Sequence, residues 1–230
     1  IFALLIIAAS TFLGELSIGQ KEKFIKDIGL AAISFFGVLT SILVGISLVY
    51  QEIDRKTVYT IISKPVYRCE FLLSKYLGLC LTLLVNVFVM TIFLFVLIWL
   101  KDYSLELSLL KAVILIFFEL ALLTSIALLF STFSSPTLSA VFTLAIYVIG
   151  NLTSDLKEIG QSAESDFSRH LIDLCYYVMP NFSNFNIRME AVHGINIGST
   201  YIASVILYSI SYTAVVLFIS ILSFQRREFN

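Results

Sequence analysis

The sequence has little charge and few cysteines or prolines. Only 13% of its 230 residues are charged, and it contains 3 cysteines and 3 prolines. A typical soluble domain carries about 25% charged residues, so most soluble classes are excluded. Cys69, Cys80 and Cys175 are far apart and form no CxxC pair, which gives no sign of a disulfide framework or a zinc site. With 15 Lys+Arg against 16 Asp+Glu, no basic face is left for nucleic acid.

The sequence also lacks the motifs of an enzyme. It has no GxxxxGK[ST] phosphate loop, so the chain is not an ATPase by itself. His170 and His193 show no HExxH or similar metal-ligand spacing, and no nucleophile and base pair or paired carboxylate stands out. We therefore expect no catalytic residues, no metal and no directly bound cofactor.

Long apolar runs dominate what is present. The chain is 59% hydrophobic, with a mean hydropathy of +0.96, and the runs from Asp27 to Glu52 and from Lys75 to Lys101 contain no charge between those residues. A helix needs about 20 apolar residues to cross roughly 30 Å of hydrocarbon. The runs are continuous, whereas barrel strands alternate. We predict an all-α membrane protein with six transmembrane helices.

The spacing of charges places these helices in one transmembrane domain, residues 1–230. The first run begins abruptly at Ile1, so we expect its span to be truncated. Pro136 suits the first turn of a helix and opens the fifth span. The predicted spans are 1–16, 28–50, 71–100, 111–133, 136–152 and 200–224, with a short helix at 51–63 outside the bilayer and a polar cap at 153–199.

The loop between spans 2 and 3 concentrates charge, with eight charged residues from Gln51 to Lys75. Within it Val58, Ile61 and Ile62 follow helical spacing, which predicts an amphipathic helix. Pro65 ends this helix because proline lacks an amide donor. Two interpretations stay open: the helix merely turns the chain round, or it docks a soluble partner.

The long segment after span 5 is acidic and then aromatic. Tyr176, Tyr177, Phe182 and Phe185 are typical of the aromatic belt at a membrane interface. We expect this segment to form a small cap on one side of the membrane.

Few polar residues lie inside the spans. Glu119 is costly in lipid and is a candidate for a cavity or substrate contact, with an interfacial or helix-bonded carboxylate as the alternative. Asn86 is a weaker candidate, since an interhelical hydrogen bond explains it as well. Gly37, Ser41 and Gly45 recur every four residues and predict a close approach of another helix.

The distribution of basic residues favours one orientation. Placing the 51–75 loop and both termini in the cytoplasm puts seven basic residues there against eight elsewhere, or against five when the long segment is discounted. We therefore predict a multi-pass protein of the plasma (inner) membrane with cytoplasmic termini and lipid as its surroundings.

The 51–78 stretch resembles the loop after the second span of ABC-2 type permeases, the membrane subunits of ATP-binding cassette exporters. That family commonly shows an acidic residue, a basic residue and Thr, then Pro-x-x-Arg and Lys-x-x-Gly. The matching residues are Glu52, Arg55, Thr57, Pro65, Arg68, Lys75 and Gly78. Residues 179–186 and 191–194 are similar to the external segment of one subgroup. The family's amphipathic helix before span 1 has no counterpart in this sequence.

The resemblance implies that residues 51–63 form a coupling helix seated in a separate ATP-binding cassette subunit. That subunit would bind ATP and Mg²⁺, and its closure would drive export by alternating access. A second permease copy or a homologue is also implied, because six spans are half of the usual exporter. The implied partner-binding residues are Glu52, Asp54, Arg55, Lys56, Thr57, Val58, Ile61, Ile62, Pro65 and Arg68.

Two other classes stay open at this point. An integral-membrane enzyme acting on lipid or glycan would use the polar cap and Glu119, with Asp166, His170 and His193 as its candidate residues. A structural or channel subunit is the weaker alternative, because few polar residues suit a pore lining. Nothing in the sequence chooses a substrate.

Overall fold

A computed structural model describes residues 2–16, 20–54, 68–101, 103, 106–153, 179–195 and 197–226. These residues are helical apart from short connections, and no strand occurs among them. The helices are α1 (Phe2–Leu16), α2 (Lys21–Asp54), α3 (Arg68–Leu100), α4 (Leu107–Phe133), α5 (Pro136–Asn151), α6 (Arg188–Val192) and α7 (Ser199–Arg226), with a 3-10 turn at Ser183–Phe185.

Four of these helices are long and apolar enough to cross a membrane. Their apolar stretches are Lys21–Ile46 of α2, Cys69–Leu100 of α3, the whole of α4, and Ser199–Phe224 of α7. Helices α1 and α5 are apolar but have only 15 and 16 residues, a rise of about 22 to 24 Å. The chain is thus an all-helical protein of membrane type, and the prediction of six spans depends on these two short helices.

Helices α2 and α4 run parallel along a seam of small residues. A Cβ on Gly37 would overlap the Leu120 side chain, and Gly45 faces the same helix two turns further on. Between them the Ser41 and Thr124 hydroxyl oxygens are 2.8 Å apart. This close approach confirms the prediction made from the small-residue spacing.

Helix α3 lies antiparallel to α2. Gly29, near the start of α2, meets Leu94, near the end of α3. Further along α2, Val44 packs against a buried cluster that contains Leu79. Extending this register places the end of α2 level with the start of α3 at Arg68.

Helix α4 is the centre of the bundle. Of its apolar stretch 72% is buried, against 33% for α3 and for α7. Helix α7 runs parallel to α4, because Ser209 Oγ donates to the Phe118 carbonyl at 3.0 Å and Thr132 Oγ1 lies 3.5 Å from Ser223 Oγ. Helices α1, α3 and α5 run opposite to α2, α4 and α7. These six helices therefore alternate in direction along the chain.

The bundle therefore has two ends. We call the end where α2 finishes and α3 begins the inner end. The outer end carries residues 101, 103 and 106 and the cap segment, which we define as the described residues 179–195, 197 and 198. The names follow the orientation predicted from the basic residues.

The second helix does not stop where its apolar run stops. We expected span 2 to end at residue 50 and a separate helix to start at 51, but α2 continues without a break through Asp54. No glycine or proline interrupts residues 46–54, which fits a continuous helix there. Residues 55–63 of the expected coupling helix, and residues 154–178 of the expected cap, lie outside the described part of the chain.

The expectation of an interfacial aromatic belt was wrong for Phe182 and Phe185 of the cap segment. Phe182 and Phe185 are fully buried, at 0% and 1% exposure. The Phe182 amide donates to the Gly150 carbonyl at 3.0 Å, and a Cβ on Gly150 would collide with the Pro180 carbonyl oxygen. The glycine lets the cap segment approach α5 and insert its rings into the bundle. Residues 176 and 177 are outside the described ranges.

Candidate functional site

Glu119 lies inside the bundle, about 18 Å along α4 from Leu107. Its side chain is only 5% exposed. It borders a cavity of about 150 Å³ between α2, α4, α5 and the cap segment. The polar residues of the lining are Ser34, Glu119, Tyr147, Asn151, Asn186 and Arg188.

The Tyr147 hydroxyl is the centre of the polar groups in this cavity. Tyr147 shares the cavity lining with the side chains of Glu119, Ser34 and Asn151, which come from three different helices. Asn151 also donates from Nδ2 to the Tyr147 carbonyl at 2.9 Å. Helices α2, α4 and α5 therefore each contribute polar side chains to one cavity.

An ion pair lies at the outer mouth of the cavity. Arg188 Nε, on the first residue of α6, is 2.8 Å from Asp27 Oδ1 on α2. Both side chains are a little over one third exposed. The Arg188 amide is also 3.4 Å from Asn186 Oδ1, which accepts from it. The pair joins the cap segment to the long second helix.

A second polar cluster ties α2 to α4 beside this mouth. Lys26 is 1% exposed, and its Nζ is 2.5 Å from Glu22 Oε1 and 3.2 Å from Glu106 Oε1. Ser108 Oγ lies 3.1 Å from Glu106 Oε2 and 3.2 Å from the Ala191 carbonyl. A buried ammonium group is tolerated here because two carboxylates neutralise it.

The predicted partner-binding residues belong to the opposite end. Glu52 and Asp54 form the last turn of α2, and Arg68 starts α3; nothing is described of these three side chains. The other predicted members of this set lie outside the described residues. Helices of 34 and 33 residues extend about 50 Å, well beyond a hydrocarbon core of roughly 30 Å. Each helix is therefore longer than a hydrocarbon core is thick.

Asn86 is not brought to the Glu119 cavity. It is half-buried on α3, next to Val85 and near Phe88, which are 53% and 60% exposed. The two residues predicted from the spans therefore occupy different surroundings, and only Glu119 borders a polar cavity.

The comparison with protein families decides the class of the chain. The model of the ABC-2 family transporter proteins matches residues 4–229, which is nearly the whole length. The chain belongs to the ABC-2 transporter family. No curated protein matches it.

As an ABC-2 permease, the chain is a membrane subunit of an ABC transporter, and its family implies an ATP-binding cassette partner. Such permeases are generally not catalytic themselves. Of the residues proposed for an enzyme, His193 lies on the surface with its Nδ1 2.8 Å from the Met189 carbonyl, and residues 166 and 170 are outside the described ranges. In the described part of the permease, no group of three His, Cys, Asp or Glu side chains could hold a metal ion.

Sequence reasoning missed the polar residues at the outer end of this permease. Asp27 was used only to mark where a charge-free run begins. Arg188 was left out of the count of basic residues because it lies in the long segment after span 5. One signal was present in the sequence: Lys26 follows Glu22 by four residues, a spacing at which charges pair on a helix. Nothing local predicts that Arg188 reaches Asp27, because the fold alone brings them together.

Proposed function

We propose that this chain is the permease subunit of an ABC exporter, driven by ATP and Mg²⁺ bound to a separate subunit. In this proposal six helices cross the plasma (inner) membrane with both termini in the cytoplasm. Residues 51–63, of which 51–54 belong to the end of α2, act as the coupling element. Transport proceeds by alternating access in a dimer with a second copy or a homologue.

The observation that carries the proposal is the long α2 and α3 pair. The charge-free run of α2 continues to Gln51, and the helix extends past it through Asp54. Because the start of α3 is level with this end, a force applied to the connection acts on both helices at once. A rigid helix transmits such a force along its length into the bundle.

The chemistry of the connection suits a docking surface. Val58, Ile61 and Ile62 supply an apolar face that a partner groove can bury, and the charges from Glu52 to Lys56 flank it. Apolar contacts supply affinity, while flanking charges fix register and partner choice. The family match makes an ATP-binding cassette subunit the partner that fits this surface.

Two features support six spans and a second copy. Helices α1 and α5 alternate in direction with the four longer helices, so six crossings return the chain to the side on which it started. On α3, large apolar side chains such as Leu77, Leu81 and Phe88 are 60% to 65% exposed. Such a face requires lipid or another membrane helix around it.

The test is copurification of the permease with the ATP-binding cassette protein encoded beside it. We expect the tagged chain to retain that subunit, and Glu52→Lys combined with Arg55→Glu to remove it. The matched control is Lys21→Glu, an exposed charge reversal at the outer end, which should leave the complex intact.

Two results would overturn the proposal. One is transport by the purified chain with no ATPase present. The other is full retention of the ATPase by the double variant when both proteins are folded, as judged by size-exclusion chromatography.

A further inference from the structure

The cavity beside Glu119 has the size of a small ligand rather than of a packing defect. Its volume is about 150 Å³. An apolar cavity of about that size holds a molecule as large as benzene in another protein. Here the lining is mixed, with a carboxylate, two hydroxyls and two carboxamides among its side chains, so a polar ligand is favoured over an apolar one.

The two charged residues of the cavity lining form no ion pair with each other in the described structure. Glu119 is the acidic residue of the lining, and Arg188 is the basic one. The Arg188 guanidinium is already engaged, because its Nε lies 2.8 Å from Asp27 Oδ1. Among the described residues no ion pair is found for Glu119, which shares the cavity lining with Tyr147.

A carboxylate in this position calls for a positive charge. Moving an ionised group out of water is costly, and an opposite charge or a proton offsets that cost. Inside a membrane bundle such groups face cavities or partners rather than lipid. The cavity supplies both the space and the hydrogen-bond acceptors for a cation that carries N–H donors.

We propose that this cavity binds a primary ammonium group, with Glu119 as its counter-ion and the hydroxyls of Tyr147 and Ser34 as hydrogen-bond acceptors. Three N–H donors of an ammonium group match a carboxylate and two hydroxyl oxygens. The Asp27–Arg188 pair closes the outer mouth. That this ligand is the transported group rests on the proposed function; that it binds does not.

The first measurement is thermal unfolding of the purified full chain with ethylammonium chloride, at neutral pH and constant ionic strength. A ligand that binds the folded state raises the midpoint in a saturable way. We expect such a rise with ethylammonium and none with sodium chloride. Glu119→Gln should weaken the apparent affinity about tenfold or more, the usual worth of a charged hydrogen bond.

Further variants keep the result interpretable. Glu119→Gln should unfold no earlier than the wild type without amine, because the amide keeps the shape and removes a buried charge. Tyr147→Phe keeps the carboxylate and should weaken binding about fivefold, the worth of one hydrogen bond. Glu190→Gln, a carboxylate of the cap segment that does not line the cavity, is the matched control and should bind as the wild type does.

The source of the ammonium group is tested separately. Free ethanolamine in detergent is compared with phosphatidylethanolamine against phosphatidylcholine in nanodiscs. A Glu119-dependent rise with the lipid identifies a headgroup as the ligand, and a rise with the free amine alone identifies a soluble amine.

The proposal is overturned if ethylammonium raises the midpoint no more than sodium chloride does. It is also overturned if Glu119→Gln shows the same rise as the wild type. Neither binding assay contains an ATPase. A negative binding result therefore does not contradict the proposed function, and a negative copurification result does not contradict amine binding.

Discussion

The two ends of the bundle are held by different kinds of contact. At the outer end the contacts are polar and directional: Lys111 Nζ donates to the Ile197 carbonyl at 2.9 Å, and Arg188 pairs with Asp27. At the inner end the described contacts between helices are largely apolar, for example the stacked rings of Phe71 and Phe224 at 6.2 Å. Apolar contacts have no preferred direction, whereas hydrogen bonds weaken when their angle changes.

This difference indicates how the molecule can move. A small tilt of α3 against α7 costs little when apolar surfaces slide over each other. The same tilt at the outer end breaks hydrogen bonds and ion pairs. Among the described residues, the outer-end contacts therefore resist a tilt more than the apolar contact of α3 with α7 does.

The largest expected effect is at Gly150, where the cap segment meets α5. In Gly150→Ala the new methyl group would collide with the Pro180 carbonyl and the Phe182 ring. We expect a loss of about 2 kcal/mol of stability, or release of the cap segment, measured by thermal unfolding in detergent.

Gly198→Ala is the matched control, because a Cβ there meets nothing within 4 Å. Equal stability of both variants would contradict the tight docking of the cap segment.

An intermediate effect is expected at Leu128, in the inner apolar cluster. Its side chain is fully buried with Leu72 and Leu217 around it. Leu128→Ala should cost about 2 kcal/mol, the low end of the range for a buried leucine, because a helix can move to fill the cavity. The outer end should not respond, so thiol labelling of a cysteine placed at Ser34 should stay as slow as in the parent. Faster labelling would show that the two ends are not separate.

The smallest effect on stability is expected at the outer ion pair. Arg188→Gln removes a partly exposed pair that is worth about 0.5 kcal/mol. The variant should instead change the access of reagents to the cavity. A cysteine at Ser34, in a background without native cysteines, should react about twofold faster with a membrane-impermeant thiol reagent. Unchanged labelling would mean that the pair does not close the mouth of the cavity.

The sequence predicted much of the bundle because lipid imposes a simple rule. Charge-free runs had to be helices, and the spacing of Gly37, Ser41 and Gly45 predicted the seam with α4. It did not reveal which helix lies at the centre. Helices α3 and α4 are similarly apolar, and only the fold buries one and exposes the other.

The outer end was harder to predict because its contacts join distant parts of the chain. The buried state of Phe182 depends on the space that Gly150 leaves on α5, and an aromatic residue after a span looks the same whether it lies in a membrane interface or in a core. Glu119 was recognised as unusual from its position alone. Its neighbours Ser34 and Tyr147 come from other helices, so its cavity was not predictable.

The central claim is that residues 51–63 contact an ATP-binding cassette subunit. A photo-crosslinking amino acid at Ile61 tests it directly in membranes that contain both proteins, with the same label at Ile195 as the control. Ile195 is 56% exposed at the outer end. The account predicts a crosslink to the ATPase from position 61 and none from position 195. No crosslink from 61, or an equal crosslink from both positions, would contradict it.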